Sequence, residues 1–468
     1  MPDPVSENLN LAQDFPPVPT SEWEKAIAQD LKSANYEKKL VWRTNEGLAV
    51  RPYYRQEHLV GLETGFRRTD RGWETVAGTA PRADTIRADL LHEAGAHAVQ
   101  ELGFAVAAGV EQLASITAAQ PADAACREIE FVFAVGPSYF IEIAKLRAAR
   151  LLWDQAVAAF GLKEAESIRM RLHARTPRRN KSVYDRYTNL LRVTTEALSA
   201  VIGGCDQLTV EPFGFDEHLA LNLQRILREE SHLDAVADPA GGSYYIEVLT
   251  DSIAREAWKI FQQVEAAGGY QKALASGMIN RALAETRAAW DKAVSSRQRA
   301  LVGVNNYPDL TEKTPANGFP PGLESSLPQH RLAEPFEKIR IRTAEHARAT
   351  GRHPKVLLLT RGDVRMKGAR ANFCLNFFGC AGFDIAQSEV YEGTDADLII
   401  LCSSDSEYLS FAQEVCPKVK IPVLVAGNPK AQEAALKSAG VQGFVHALSD
   451  VVETLTQWQN TLGMRSER

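Results

Sequence analysis

The sequence is poor in the features that mark several large classes of protein. Its 468 residues include six cysteines, and no two of them form a Cys-x-x-Cys pair, which argues against a zinc ribbon or a dithiol redox motif. No apolar run reaches the length that a membrane-spanning helix requires. The first residues are polar and lack the apolar stretch of a secretory signal. We therefore expect a cytoplasmic protein with reduced thiols, no metal site and no membrane contact.

Positive charge is also in short supply. Lys and Arg together number 53 against 59 Asp and Glu, which gives a formal net charge of -6. A broad basic surface for nucleic acid is therefore not expected. The hydrophobic content of 45% and the charged content of 24% are ordinary for a globular protein, and the length suits two to three domains.

Composition and hydrophobic periodicity divide the chain into four parts. Residues 1–83 form a Pro-rich arm and the segment that leads into the next part, with a strand or hairpin predicted over residues 41–54. Residues 84–300 alternate short apolar runs with helical patterns in about five βα units, which favours a parallel α/β domain. Residues 301–353 are rich in Pro, Gly and Asn and are predicted to be a linker. Residues 354–468 repeat the βα rhythm of a doubly wound, flavodoxin-like domain, with strands predicted near 355–360, 397–402, 421–426 and 443–446.

The start of the last part carries the most informative motif, Asp363-Val-Arg365-Met-Lys-Gly368, after a buried strand. This context resembles the opening of the cobalamin-binding domain of B12-dependent mutases, whose motif is Asp-x-His-x-x-Gly. In that family the His is the lower ligand of cobalt, and here its position holds Arg365. A guanidinium has no lone pair to offer a metal. The resemblance therefore implies a degenerate domain that holds no cofactor.

The first domain carries phrases that resemble the coenzyme B12-dependent acyl-CoA mutases, and methylmalonyl-CoA mutase above all. The most specific phrase begins at Glu142-Ile-Ala-Lys and ends at Trp153, and a second runs from Asp238-Pro-Ala-Gly-Gly-Ser to Glu247. A segment that begins at Tyr36-Glu-Lys-Lys-Leu resembles the small (beta) subunits of the heterodimeric bacterial enzymes. The resemblance implies a TIM (β/α)8 barrel followed by the flavodoxin-like domain.

The match has a gap in the barrel. Between Trp73 and His92 the chain passes from what resembles the segment before the barrel to what resembles its middle. The early strands are missing, so we expect a truncated or incomplete TIM barrel. Such a barrel leaves two strand edges open, to be patched by the N-terminal segment or covered by another chain.

The positions of the family's catalytic residues are also altered. The stretch Phe66–Trp73 lacks the Tyr that steers the radical, Leu90 takes the place of the catalytic His, and Glu211-Pro212 falls where the family has an Asn. We therefore expect no catalytic residue. His173, at the end of a predicted strand, is a vestigial candidate, and the alternative is a hydrogen-bonded relic. His92 is expected to be a solvated or capping residue.

Two loops of the first domain allow more than one interpretation. A basic loop follows His173, and it either docks a CoA phosphate or is a solvated loop or a contact for an acidic partner; it contains Arg175, Arg178, Arg179 and Lys181. The Gly-rich phrase at Asp238 either cradles a phosphate or is an ordinary turn.

The loops of the second domain differ from the family pattern as well. Asp405 places a charge where the family buries a cobalamin ring, and burial of an unpaired carboxylate is costly. Pro429 stiffens the next loop. Phe377 and Phe378 either fill the cobalamin space or are plain core.

The resemblance implies the non-catalytic small subunit of a heterodimeric methylmalonyl-CoA mutase, an isomerase of propionate metabolism. A large subunit would bind adenosylcobalamin and acyl-CoA and interconvert (R)-methylmalonyl-CoA and succinyl-CoA, and this chain would stabilise it. The helix over Tyr139–Trp153 and the arm 1–20 are the expected partner contacts. The alternatives are a self-sufficient adenosylcobalamin-dependent mutase, and a cobalamin-free regulatory or chaperone module.

Overall fold

The computed structural model describes residues 16–32, 34–62, 72–77, 85–118, 121–162, 169–312, 322–323, 325–393 and 395–464. Most of the predicted arm 1–20 and most of the Phe66–Trp73 stretch lie outside these ranges. None of the described helices is long and apolar enough to cross a membrane. All six cysteine side chains are free thiols.

The described N-terminal segment contains two helices and a hairpin. Helices α1 (Thr20–Asp30) and α2 (Tyr36–Lys39) precede the antiparallel strands β1 (Trp42–Arg43) and β2 (Ala49–Val50). Thr44 accepts a hydrogen bond from the Leu48 N–H at 3.2 Å within the turn. The predicted hairpin is therefore confirmed.

The first domain is built on a parallel five-stranded sheet in the order β3-β7-β6-β5-β4. Its strands are β3 (Glu74–Thr75), β4 (Ile86–Arg87), β5 (Glu130–Ala134), β6 (Arg171–Arg175) and β7 (Gln207–Thr209). The N-terminal segment thus supplies β3, which covers the free edge of β7. Among the described residues β4 pairs only with β5, so the sheet is open at that edge.

Helices cover one face of this sheet. They are α3 (Ala88–Glu93), α4 (Ala98–Thr117), α5 (Ala122–Glu128), α6 (Tyr139–Ala158), α7 (Arg186–Ile202), α8 (Glu217–Arg225), α9 (Tyr244–Ala266), α10 (Tyr270–Ala275) and α11 (Met278–Ser295). Side chains alternate along the strands, so Phe131, Phe133 and Leu172 point into the helical layer and join its apolar core. Helices α3 and α4 are separated near Gly95, where φ is +124°.

The second domain has a parallel five-stranded sheet in the order β12-β11-β10-β8-β9, which is a flavodoxin-like order. Its strands are β8 (Lys355–Thr360), β9 (Asp384–Ser388), β10 (Leu398–Cys402), β11 (Val423–Ala426) and β12 (Gly443–Val445). Its helices are α12 (Glu334–Thr350), α13 (Val364–Gly379), α14 (Tyr408–Val415), α15 (Glu433–Ser438) and α16 (Val451–Thr461). Phe377 and Phe378 are fully buried in its apolar core.

The region between the domains lies along the carboxyl ends of the first sheet's strands. The Leu332 N–H donates to the Arg179 carbonyl at 2.9 Å, and Glu337 accepts from the Val183 N–H at 2.8 Å. Arg331 and Glu337 form an ion pair at 2.7 Å. These contacts attach the first turn of α12 to the loop that follows β6.

Candidate functional site

The face of the first sheet that points away from the helices is polar. Because side chains alternate along a strand, residues two apart share this face, as Glu130 and Val132 do on β5 and His173 and Arg175 do on β6. Functional side chains of β/α barrels project from the carboxyl ends of such strands. This end of the sheet is therefore the first candidate site.

His173 lies in the middle of this polar face and is 3% exposed. Its Nε2 lies 2.8 Å from Thr209 Oγ1, and its Nδ1 lies 3.8 Å from Glu130 Oε1. Burial, together with the nearby Arg175 and Arg87 guanidinium groups, lowers the His173 pKa to about 4. The imidazole is therefore neutral near pH 7 and hydrogen-bonded within the chain, as the relic interpretation predicts.

Replacement of His173 by Gln is expected to flatten the dependence of stability on pH. The unfolded imidazole takes up its proton near its ordinary pKa of about 6.5, whereas the folded one does so near 4. The unfolded chain thus binds more protons between these pH values, and stability falls as pH drops through this window. Between about pH 7.5 and about pH 5, wild type should lose about 2 kcal/mol more unfolding free energy than the variant.

Urea denaturation at both pH values measures this difference. Replacement of the exposed His353 by Gln is the matched control and should leave the pH dependence as in wild type. Parallel pH profiles for wild type and the His173→Gln variant would show that His173 is not held neutral by the fold.

Ion pairs close the carboxyl end of the first sheet. Arg175 lies 3.1 Å from Glu211 and 3.9 Å from Asp89. Arg178 pairs with the same Glu211, and Arg87 pairs with Asp89 at 2.7 Å. The space left between these side chains is about 10 Å³, which is room for about one water molecule. Among the described residues, the space that these side chains enclose is too small for an acyl group.

The basic loop after His173 is folded into the protein, and both of the predictions that place it in solvent or at a partner are wrong. Arg175, Arg179 and Lys181 are all buried. Lys181 contacts Glu196 at 2.7 Å, and Arg178 donates from Nε to Glu211 at 2.8 Å. These charges mainly bind carboxylates of the same chain.

His92 is not solvated, so that prediction is wrong too. Its side chain is 12% exposed, and Nδ1 lies 3.5 Å from Glu101 Oε2. Lys145 reaches the same carboxylate at 2.7 Å and Glu142 at 2.6 Å. The Lys145 ammonium also donates to the Ala134 carbonyl at 2.5 Å. This buried cluster fastens α6 to α4 and to the end of β5.

The most specific sequence phrase, Glu142–Trp153, therefore has a structural role. Arg147 pairs with Asp238 and lies 2.8 Å from Glu247. Arg150 donates to the Gly204 carbonyl at 2.6 Å. Most of α6 is buried within the chain, while Phe140 in its first turn is 50% exposed, so its contact with a partner stays a prediction.

The Gly-rich phrase at Asp238 is an internal turn. The Glu247 carboxylate accepts the Gly242 N–H at 2.9 Å and also binds Arg147. A Cβ at Gly241 would lie 2.6 Å from the Asp238 carboxylate. Carboxylates of the chain thus occupy the place where a phosphate would have to bind, which favours the ordinary-turn interpretation.

The second candidate site is the carboxyl edge of the second sheet, where the altered Asp363-x-Arg365-x-x-Gly368 motif lies. Asp363 caps α13 and accepts the Met366 N–H at 2.9 Å. Arg365 is exposed in the first turn of that helix. A Cβ at Gly368 would meet no atom within 4 Å. The loop thus keeps its helix cap but presents a guanidinium to solvent.

A carboxylate occupies the crevice between the loops that follow β8 and β10. In doubly wound sheets this switch point is where ligands bind. Glu407 accepts hydrogen bonds there from Ser403 Oγ at 2.7 Å and Ser404 Oγ at 2.8 Å. A Cβ at Gly362 would lie 1.9 Å from the Glu407 carboxylate. Sequence reasoning missed Glu407, because its neighbours in space come from a loop some 45 residues earlier as well as from its own turn.

Arg370 spans the neighbouring gap. Its guanidinium lies 3.2 Å from Asp405 and 3.4 Å from the Cβ position of Gly427. The Asp405 side chain is 56% exposed. The charge that the sequence predicts at this loop is therefore present, and it forms an ion pair with Arg370 at the surface. Tyr408 adds a hydrogen bond from its hydroxyl to the Ala426 carbonyl, which connects the start of α14 to β11.

These residues do not fit cobalamin. Arg365 has no lone pair for cobalt, and Arg370 and Glu407 lie in the crevices that the nucleotide tail would need. In the part of the chain that the structure describes, no three His, Cys, Asp or Glu side chains are grouped as metal ligands. No step of a reaction can be assigned to a corrinoid on this chain.

Comparison with known proteins identifies the family of this chain. The family model of methylmalonyl-CoA mutase matches residues 52–344. The methylmalonyl-CoA mutase small subunit of Porphyromonas gingivalis is 32% identical over 98% of this chain and 100% of that protein. The small subunit of Streptomyces virginiae is 36% identical over 82% of this chain and 65% of its own length. Methylmalonyl-CoA mutase of Escherichia coli is 38% identical over 49% of this chain and 34% of that protein. The chain therefore belongs to the methylmalonyl-CoA mutase family, and the relatives that it resembles over most of its length are small subunits.

Proposed function

We propose that this chain is the non-catalytic small subunit of a heterodimeric methylmalonyl-CoA mutase. The observation that carries the proposal is Arg365, which is exposed where the family places its cobalt ligand. Arg370 and Glu407 close the crevices beside it. A mutase chain without a corrinoid has no source of the radical, so the cofactor belongs to the partner.

The carboxyl end of the first sheet supports the same proposal. Glu211, near the position of the family's Asn, is held by Arg175 and Arg178. Leu90 takes the position of the catalytic His. In the described part of the chain these residues bind one another, and the space that they enclose is about 10 Å³. We infer that substrate binds to the large subunit.

The open edge of the first sheet supplies the reason for a partner. We infer that the barrel is incomplete, because β4 lacks a neighbour on one side among the described residues. An open edge in a barrel is normally covered. The large subunit would carry adenosylcobalamin and convert methylmalonyl-CoA to succinyl-CoA in the cytoplasm, and this chain would stabilise it.

A visible-absorbance titration with adenosylcobalamin tests the proposal. The full-length chain should leave the free corrinoid spectrum unchanged up to concentrations well above micromolar. The complex with the large subunit is the positive control. Binding by this chain at micromolar strength or tighter, about -8 kcal/mol, would instead support the self-sufficient mutase.

Restoring the family's His is expected to be insufficient. The Arg365→His variant supplies an imidazole, but Glu407 and the Arg370–Asp405 pair still occupy the crevices. Entry of the nucleotide tail would have to break these interactions. The variant should therefore show no His-ligated, base-off spectrum. Appearance of that spectrum in the single variant would show that the crevices open readily and that Arg365 alone excludes the cofactor.

A further inference from the structure

Three arginines meet near the carboxyl end of the first sheet, around Trp290. The Arg179 guanidinium carbon lies 5.7 Å from the centre of the Trp290 ring. The Arg299 guanidinium carbon lies 3.6 Å from the same centre. Arg287 precedes Trp290 by one turn of α11. Two guanidinium groups thus lie over one aromatic ring, and a third arginine lies one helical turn away.

Gly95 leaves space for the side chains of Arg179 and Arg287. A Cβ built at Gly95 would lie 2.9 Å from Arg287 Cβ and 3.1 Å from Arg179 Nη1. Its φ of +124° also disfavours any other residue. Because this position has no side chain, Arg179 and Arg287 can approach the same point.

The hydrogen bonds of the three guanidinium groups go to uncharged oxygens. Arg179 Nη1 donates to the His92 carbonyl at 3.2 Å, Arg287 Nη1 to the Ala94 carbonyl at 3.4 Å, and Arg299 Nη2 to Ser138 Oγ at 3.5 Å. Across the described ranges no carboxylate lies within ion-pair distance, 4.0 Å, of any of the three. Arg175 and Arg178, which belong to the same loop as Arg179, form ion pairs with Glu211. The cluster differs from them because it has no carboxylate at ion-pair distance in the described ranges.

Arg179 carries the strongest sign of an absent ligand. It is 3% exposed, and its Nη2 has no hydrogen-bond partner. Burial of a charge without a partner is costly. Burial, with the Arg287 and Arg299 charges and against those of Asp291 and Glu93, lowers the Arg179 pKa to about 10.

The nearby acids do not neutralise the cluster. Asp291 is bound to His330 Nε2 at 2.9 Å. Glu93 accepts the Arg178 N–H at 2.6 Å, and burial raises the Glu93 pKa above its ordinary value. These two acids act on Arg179, and Glu46 acts on Arg299, without an ion pair to any of the three arginines in the described ranges.

We propose that Arg179, Arg287 and Arg299 form a binding site for the phosphate group of a small molecule. A phosphate offers several acceptor oxygens to forked guanidinium donors, and one of them would satisfy Arg179 Nη2. Arg287 and Arg299 are partly exposed, which gives the ligand access from solvent. The phosphate comes either from inorganic phosphate or from a coenzyme A molecule, and the site does not depend on the proposed subunit role.

Isothermal titration of the full-length chain in complex with the large subunit tests this site. The probes are inorganic phosphate, coenzyme A and dephospho-coenzyme A, each at equal ionic strength against chloride. We expect this chain to bind inorganic phosphate with a Kd on the order of 1 mM. Arg287→Gln should weaken that binding by about tenfold. Arg281→Gln, an exposed arginine on the same helix, is the matched control and should leave it unchanged.

The probes separate the two sources of phosphate. Stronger binding of coenzyme A than of dephospho-coenzyme A, lost in the Arg287→Gln and Arg299→Gln variants, would assign the site to the nucleotide 3′-phosphate. Binding of inorganic phosphate alone would assign it to the free ion. Equal heats in wild type and both variants would overturn the proposal. So would variants that weaken assembly with the large subunit while phosphate binding stays the same, because the cluster would then be a protein contact.

Discussion

Replacement of Lys145 by Met is expected to destabilise the chain by about 3–5 kcal/mol, which is the usual result of removing one partner from a buried ion pair. Lys145 is completely buried and binds Glu101 at 2.7 Å and Glu142 at 2.6 Å. Met matches the length of the side chain, so the loss measures charge rather than volume. Both carboxylates would remain buried, and His92 would be the nearest compensating group.

Glu101 and Glu142 differ in the direction in which their surroundings shift the carboxyl pKa. Burial raises the Glu101 pKa, but Lys145 and His92 together outweigh burial, and the net pKa is lowered. Burial holds the Glu142 pKa above its ordinary value in spite of Lys145. Without the ammonium, Glu142 is therefore the carboxyl that protonates first. Addition of Glu142→Gln to the Lys145→Met variant should recover part of the lost stability.

Chemical denaturation of the subunit complex measures both variants. The control is Lys259→Met, because Lys259 pairs with Glu256 at 2.6 Å on the exposed side of α9 and surface pairs contribute little. A loss below about 1 kcal/mol for Lys145→Met would place it in the range of a surface pair. The cluster would then not be what fastens α6 to α4.

The parts of the fold that the sequence predicts are those with strong local signals. The strands β8, β10 and β11 are continuous apolar runs, and their predicted places agree with the structure to within two residues. Strand β9 was not predicted, because Asp384–Ser388 is half polar and lies at an edge of the sheet. The two-residue strand β3 has no local signal at all, since only its pairing with β7 defines it.

The candidate sites show a similar division. One residue, Arg365, is enough to identify the altered cofactor loop from the sequence, because a guanidinium has no lone pair for cobalt whatever its surroundings. The partners of the charged residues can be identified only from the three-dimensional structure. Glu93, for example, accepts the Arg178 N–H although 85 positions of sequence separate the two residues. Without knowledge of such partners, a run of basic residues in the sequence predicts a solvated loop. For the same reason the sequence reveals the charge at Asp405 but not its ion pair with Arg370.

Partner dependence follows from what the first domain leaves uncovered. Strand β4 pairs only with β5 among the described residues, and an unpaired strand edge is a template for association. Large apolar side chains are also exposed on α7, where Tyr187 is 63% and Leu191 is 68% exposed. They lie one helical turn apart and so share a face. A chain with both features is expected to need a covering surface.

Expressed alone, the chain is therefore expected to aggregate or self-associate, and co-expression with the large mutase subunit should keep it in solution. The physical reason is that an obligate interface commonly buries more than about 2,000 Å², and without a partner that surface stays in contact with water. Analytical sedimentation and thermal melting of both preparations measure the effect. The matched control is co-expression with an unrelated protein, which should give no rescue. A monomer of the isolated chain that melts cooperatively at micromolar concentration would mean that β4 and the α7 face are tolerated in water, and that stabilisation by a partner is not required.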